Sequence, residues 1–497
     1  MRIARLATVL LLAQIVTSVE AQSPVASIRV EVIETISKAP WFEVQSRNFR
    51  VVGNADKKRL RDIAVDLEEV RRQFFEVFPR EADYRLQTTV VAFRNDKNLM
   101  LFYQPDAGGK LRVGYTHSGQ DRNYIAINAG QKRRRSVYHD YVHLLMEPYN
   151  LPVWLREGLA EYYGSVENER YLIGDYRTVM IGFPIYDHAR VLHDPLVLPL
   201  RELFGAGEYS HSANTKTDAF LAESWALVHM MHLMAGGELK QWIQALVDGS
   251  PATASFDSIF GPNRGLVEDG LANYVESAKK RGWSYKRIPY CMCDSKPNDW
   301  LQFNFDRTQS FIKEKGEHQL SEAEIRFHLG DLMLHRGRVQ EAEAFLLDAV
   351  RLNPDLAAAH ASLSIIRIQE GQYEEAKESI NRALALDTEN PLPYLFYAWL
   401  IRREASQSGV ALTREQLGSM QISLLRAARL GPNLDDAMEM LEEVNESLGE
   451  PDMNQDPRIL RPAKRPPGFR ISAIARSGLN FLDGEDFFGG SRIKDSE

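Results

Sequence analysis

His139-Asp140-Tyr141-Val142-His143-Leu144-Leu145, then Trp154-Leu155-Arg156-Glu157-Gly158-Leu159-Ala160-Glu161-Tyr162-Tyr163 across Pro152, is the densest chemical pattern in the chain. Two histidines four apart on a helix stand on one face, one turn apart, so both rings can reach one metal ion. Pro152 suits the first turn of a second helix. From that helix Glu157 is placed to supply a third, carboxylate ligand. Three protein ligands and one open position is the coordination of a catalytic zinc rather than a structural one. Glu161, one turn further on, shares the face of Glu157. It is either an acceptor that orients a ligand histidine or a solvated carboxylate. Gly158 and Ala160 are small, as expected where the second helix packs closely on the first.

Working outward, the residues before this stretch read as a mixed sheet. Trp41–Ser46 and Asn48–Val52 alternate and carry aromatics, Gln87–Phe93 is β-branched, and Val113–Thr116 and Asn123–Asn128 are further short strands. Lys57–Phe78 keeps a helical period through Leu60, Ile63, Ala64, Leu67, Val70, Phe74 and Phe75. Helical patterns dominate from the histidine stretch to about Lys280. A sheet first and helices after predicts an α+β domain over 27–290, with the histidine helix at the junction.

A repeat begins near Ala323. Leu329, Gly337, Ala342 and Ala349 recur 34 residues later as Leu363, Gly371, Ala376 and Ala383. Thirty-four is the tetratricopeptide period, so an all-α superhelix of paired helices is predicted over 321–449. Small residues at Gly330, Ala342 and Ala376 would let paired helices approach. A third unit starts at Pro391, is stretched by an insertion near Ser406–Gln416, and is followed by a capping helix at Asp435–Leu448. The stretch 291–320 reads as a linker. The tail 450–497, rich in Pro, Gly, Arg and Asp without a sustained period, reads as disordered.

A chain of 497 residues is too long for one core. Its net charge of −8 gives no support to a nucleic-acid partner. Arg2 and Arg5, the apolar run Leu6–Val19 and the small-x-small site Val19-Glu20-Ala21 have the order of a secretory signal peptide over 1–21. That predicts export to a periplasmic or extracellular space, with an uncleaved anchor as the alternative. No other apolar run is long enough to cross a bilayer. Cys291 and Cys293, the only cysteines, cannot make a zinc site alone and read as a local disulfide or free thiols. Lys132-Arg133-Arg134-Arg135 reads as a solvated charge run. Tyr141, Tyr162 and Tyr163 read as core rather than oxyanion donors, and His188, His211 and His229 as packing residues. Walker, dinucleotide and nucleophile-elbow motifs do not occur.

From Trp41 to Trp283 the chain resembles the gluzincin metallopeptidases of the peptidase MA-like group, found in exported proteins with tetratricopeptide repeats. The family pattern is His-Glu-x-x-His on one helix and Trp-x-x-Glu-Gly-x-Ala-Glu-Tyr on the next. The resemblance implies a zincin-like fold and Zn2+ held by His139, His143 and Glu157. It also implies that Asn123, Tyr124, Ile125, Ala126 and Ile127 form an edge strand that pairs with an extended peptide. Ser224-Trp225-Ala226-Leu227-Val228-His229 resembles the family's downstream helix. The family's Glu is the general base, so the resemblance makes Asp140 the catalytic candidate, but it departs from the pattern: its carboxylate is shorter by one C–C bond, ~1.5 Å. Two functions are therefore expected as alternatives. One is an exported zinc metallopeptidase-like protein whose repeats bind a protein or peptide. The other is a catalytically silent zincin scaffold joined to a repeat adaptor.

Overall fold

The computed structural model describes residues 39–79, 88–102, 114–119, 121–131, 134–147, 149–169, 176–193, 198–205, 215–280, 301–306, 312–431 and 434–449. The expected signal peptide, Cys291 and Cys293, His211, Lys132 and Arg133, and the tail from residue 450 lie outside these residues.

Strand β1 (Phe42–Ser46) pairs antiparallel with β2 (Phe49–Gly53). Helix α1 (Lys57–Val77) follows, started by Asp56, whose side chain accepts from the Arg59 backbone N–H. It crosses over to β3 (Thr88–Phe93), which lies parallel to β2. After the short α2 (Asp96–Met100), β4 (Gly114–Ser118) and β5 (Asn123–Asn128) pair antiparallel, and β5 lies parallel to β3. Far along the chain, β9 (Ile312–Gln319) adds antiparallel to β1 and completes a six-stranded mixed sheet of order β4-β5-β3-β2-β1-β9.

The sheet is covered on both faces, and strand alternation sorts its side chains between two cores. Val44, Val51, Val90, Ala92, Ile125 and Ile127 face α1 and the helices α3 (Arg135–Met146) and α4 (Val153–Gly164). Trp41, Val52, Val91, Phe93, Tyr124 and Ala126 face the repeat helices instead. Strands buried on both faces read as nearly continuous apolar runs, which is what Thr-Thr-Val-Val-Ala-Phe and Asn-Tyr-Ile-Ala-Ile-Asn are. This corrects the expectation for Asn123–Ile127. The strand is interior, paired to β4 on one side and β3 on the other, so its backbone is not free to take up a peptide.

Beyond α4 come β6 (Glu167–Glu169), β7 (Tyr176–Ile181), α5 (Tyr186–Val191), α6 (Leu200–Gly205), α7 (Thr215–Met234), α8 (Gly236–Val247), α9 (Ala252–Phe260) and α10 (Arg264–Lys280). Strand β8 (Leu301–Asp306) joins β6 and β7 in a three-stranded antiparallel sheet. The stretch 291–320 is therefore not a plain linker, since it holds β8 and β9. In β8 the alternation of Leu301, Phe303 and Phe305 with Gln302, Asn304 and Asp306 is a strand pattern overlooked beside the helical run before it. In β9 the run Lys313-Glu314-Lys315-Gly316-Glu317 is polar and offers no apolar alternation to read.

The C-terminal region is helical, with paired helices α11 (Glu322–His335) and α12 (Val339–Leu352), α13 (Ala357–Gln369) and α14 (Tyr373–Ala385), and α15 (Leu392–Ser408) and α16 (Arg414–Leu430). Helix α17 (Asp435–Leu448) closes the stack. Ser321 and Glu324 form a capping box that starts α11 only two residues after β9. Gly337 and Gly371 follow the first helix of their pairs, and both adopt positive φ, 72° and 73°, which turns the chain into the second helix. The irregular third pair takes up its insertion by lengthening both helices to 17 residues.

The stack is fixed to the sheet. Asp121 and Arg122, beside β5, and Tyr124 on it meet Asp331 and His335 on α11. His335 Nε2 lies 2.9 Å from Asp121 Oδ1, and its Nδ1 lies 2.8 Å from the Asp331 carbonyl. Arg122 Nη1 is 3.3 Å from Asp331 Oδ2, to which the Tyr124 hydroxyl also donates. Ser362 on α13 donates to Asp331 at 2.6 Å, and Asn390, just before α15, donates to Asp121 at 2.7 Å. Around this polar cluster each buried Val, Leu or Phe contributes about 1.5–3 kcal/mol.

Candidate metal centre

Helices α3 and α4 stand side by side because Gly164 permits it. A Cβ there would lie 3.0 Å from the His139 backbone nitrogen and 3.1 Å from its Cα. Gly158, expected to serve that contact, faces α7 instead: a Cβ would meet the Ser224 carbonyl at 2.5 Å and Val228 Cγ2 at 2.7 Å. So Ser224–His229 lies on the helix that backs α4. His229 there is a packing residue, held between the Gly182 carbonyl at 2.9 Å and the Tyr274 hydroxyl at 2.6 Å. Tyr141, Tyr162 and Tyr163 are core residues, at most 2% exposed.

This pairing brings His139, His143 and Glu157 together. The two Nε2 atoms are 3.1 Å apart, and Glu157 Oε2 is 3.8 Å from that of His139 and 3.5 Å from that of His143. The centre of that triangle is about 2.0 Å from all three atoms, within the range of Zn–N and Zn–O bonds. Among the described residues this is the one such group of three His, Cys, Asp or Glu side chains. The three candidate side chains keep 14–24% exposure, which leaves a side open to solvent. Burial pushes the His139 ring down to about 4, so it is neutral near pH 7, as a metal ligand must be. The donor set fits a borderline-soft divalent ion.

Behind the cluster, Glu161 Oε1 is 3.6 Å from His139 Nδ1. Glu161 is buried, not a solvated carboxylate. Burial alone would raise its pKa. The opposing pull of His188, His139 and Arg135 outweighs that and holds it far below the ordinary carboxylate range. Arg135 Nη2 is 2.9 Å and His188 Nε2 3.4 Å from Glu161 Oε2. Neither residue was singled out for the site from sequence. Arg135 was read as part of a solvated charge run, and its neighbour Arg134 is likewise paired, 3.4 Å from Asp66. Position 135 is one turn before His139, so a helical wheel could have found it. No sequence signal ties His188 to this face.

Asp140 follows His139 on α3 and is half-buried. The tetratricopeptide repeat model matches residues 357–390, which span α13, α14 and the turn after them. The helical C-terminal region thus contains a tetratricopeptide repeat, a unit of scaffolds that present binding surfaces to other proteins. No curated protein matches the chain. Among the described residues no helix is long and apolar enough to cross a membrane.

Proposed function

We propose that this chain is an exported zinc-binding protein of the gluzincin metallopeptidase type, with a tetratricopeptide stack that engages a protein or peptide. The observation that carries the reading is the triangle of His139 Nε2, His143 Nε2 and Glu157 Oε2, sized for one zinc ion. The zincin assignment also draws support from the sheet-plus-helices layout, with the two ligand helices packed against one face. A zinc ion held by His139, His143 and Glu157 would supply a Lewis acid to a peptide carbonyl and the attacking water. Asp140 would take a proton from that water and return it to the amine as the peptide C–N bond breaks. Strand β4 is the sheet edge beside α3, so an extended peptide would pair there rather than on β5. Residues 1–21 direct export, and a partner engages surfaces of the stack that the sheet leaves uncovered.

Asp140 favours a second reading, a zinc-loaded scaffold without turnover. General acid–base help is worth ~10²–10⁴-fold, and a 1 Å misplacement can cost ~10²-fold. The shortened carboxylate therefore removes rate without touching the ligands. Metal analysis of the purified full chain tests the common core. About one zinc per chain is expected, with loss in His139→Ala; a metal-free wild type would refute both readings. Cleavage of denatured peptides, abolished by a chelator and raised by Asp140→Glu, distinguishes the enzyme. Zinc retention with no cleavage by either form leaves the scaffold.

A further inference from the structure

We propose that His188 is a positioning residue for the metal centre: from a separate helix it holds the Glu161 carboxylate so that Glu161 can orient His139. The inference rests on the zinc-binding reading above and concerns a residue outside the ligand stretch.

His188 sits on α5, away from both ligand helices in sequence, and only 8% of its side chain is exposed. Its ring packs near Trp225 of α7, with centroids 5.9 Å apart. That contact fixes the imidazole from behind. Its Nε2 is buried and makes no hydrogen bond, and it lies 3.4 Å from Glu161 Oε2, whose nearer partner is Arg135 Nη2 at 2.9 Å. Two buried complementary atoms at this separation are a small side-chain adjustment short of a hydrogen bond. Leaving His188 Nε2 unpaired costs its desolvation. The pair forms when His188 Nε2 carries a proton, which either the neutral Nε2–H tautomer or the imidazolium provides.

Glu161 has two oxygens with two tasks. Oε1 faces His139 Nδ1, and accepting from that N–H leaves the Nε2 lone pair for the metal. Oε2 faces outward to His188 and Arg135. Arg135 is 39% exposed and rides on α3 with His139, so it moves with the ring it would help to fix. His188 is buried and comes from another element, so it supplies a reference point that α3 does not. Without it the Glu161 carboxylate can rotate toward Arg135 and release His139 Nδ1.

The test compares His188→Ala and His188→Gln in the full chain. The Gln amide nitrogen can replace Nε2 as a donor. Zinc affinity is read by competition with a chromophoric chelator, and ligand geometry by the visible absorption of the cobalt-substituted protein. Loss of such an outer partner is expected to weaken zinc binding by about 10–100-fold in the Ala variant. The cobalt spectrum should change with it, and most of the affinity should return in the Gln variant. Thermal unfolding of the metal-free forms should differ little between the two variants. Wild-type affinity in His188→Ala overturns the proposal while leaving the metal centre standing. Equal weakening in both variants, tracking an equal drop in metal-free stability, also overturns it, because His188 would then be packing alone. A wild type that binds neither ion removes the metal reading and this inference with it.

Discussion

Gly164 decides how closely the two helices of the candidate metal centre approach. Its hydrogen stands where a methyl would press on the His139 backbone from 3.0–3.1 Å, and backbone has little room to give. Gly164→Ala should therefore push α4 from α3, cost about 1–3 kcal/mol and separate Glu157 from the histidines. Denaturant titration reads the first effect, and zinc competition the second. A variant with unchanged affinity would mean that the ligand triangle does not depend on this contact. At this scale the sequence was informative where chemistry follows local spacing. His139 and His143 are four apart on one helix, and Glu157 lies in the second turn of the next, after a short loop. It was silent where contact is tertiary. His188 meets Glu161 only because α5 packs on α7, the helix that backs α4, and no local pattern encodes that. The assignment of Gly158 failed for a related reason: a small residue marks a close approach without naming the neighbour.

Elements with a strong period were legible, and those defined by their neighbours were not. The 34-residue recurrence placed α11 to α14, since each pair must bury the same stripe against the next. Gly330 lies at one such seam. An added Cβ would meet Leu346 Cγ and Phe345 Cβ at 3.0 Å and the Ala342 carbonyl at 3.1 Å. Gly330→Val should pry α11 from α12, lower the melting temperature and cost about 1–3 kcal/mol by overpacking. Loss of helical circular dichroism on heating measures it. No change in melting temperature would contradict so close a seam. Strand β5 was identified with its correct bounds, yet its rank in the sheet was misjudged. Being an edge is a property of the partners, and only the two-faced apolar run hinted at an interior place. The polar strand β9 was hidden because its partner β1 lies at the far end of the chain.

Over the whole molecule, the sheet and the stack share one buried charge cluster. Both nitrogens of His335 face acceptors, the Asp121 carboxylate and the Asp331 carbonyl, so the ring is held as an imidazolium. Burial opposes that charge, but Asp121 and Asp331 outweigh it and raise the pKa above the ordinary 6.5. Arg122 faces the cluster as a cation, Tyr124 donates to Asp331, and burial, with His335 and Arg336 nearby, lowers His117 to about 4. A raised folded-state value contributes stability in full below the unfolded pKa and loses it as pH climbs through the folded one. Unfolding free energy should accordingly fall as pH rises above the ordinary 6.5, and the fall should flatten in His335→Gln. Denaturant curves between about pH 6 and 9 check it. An equal slope in both proteins would place the pH response elsewhere.

The late arrival of β9 also has a consequence for synthesis. Strand β1 emerges from the ribosome early, but the strand that closes its edge is encoded roughly 270 residues later, and the helix that roofs the sheet follows directly. At about 5–20 residues per second, the nascent polypeptide carries an unroofed apolar surface for on the order of 15–50 s. Its first half cannot finish folding until its second half has begun to appear, so a ribosome stalled between them would display a sticky, half-built sheet to the chaperones around it.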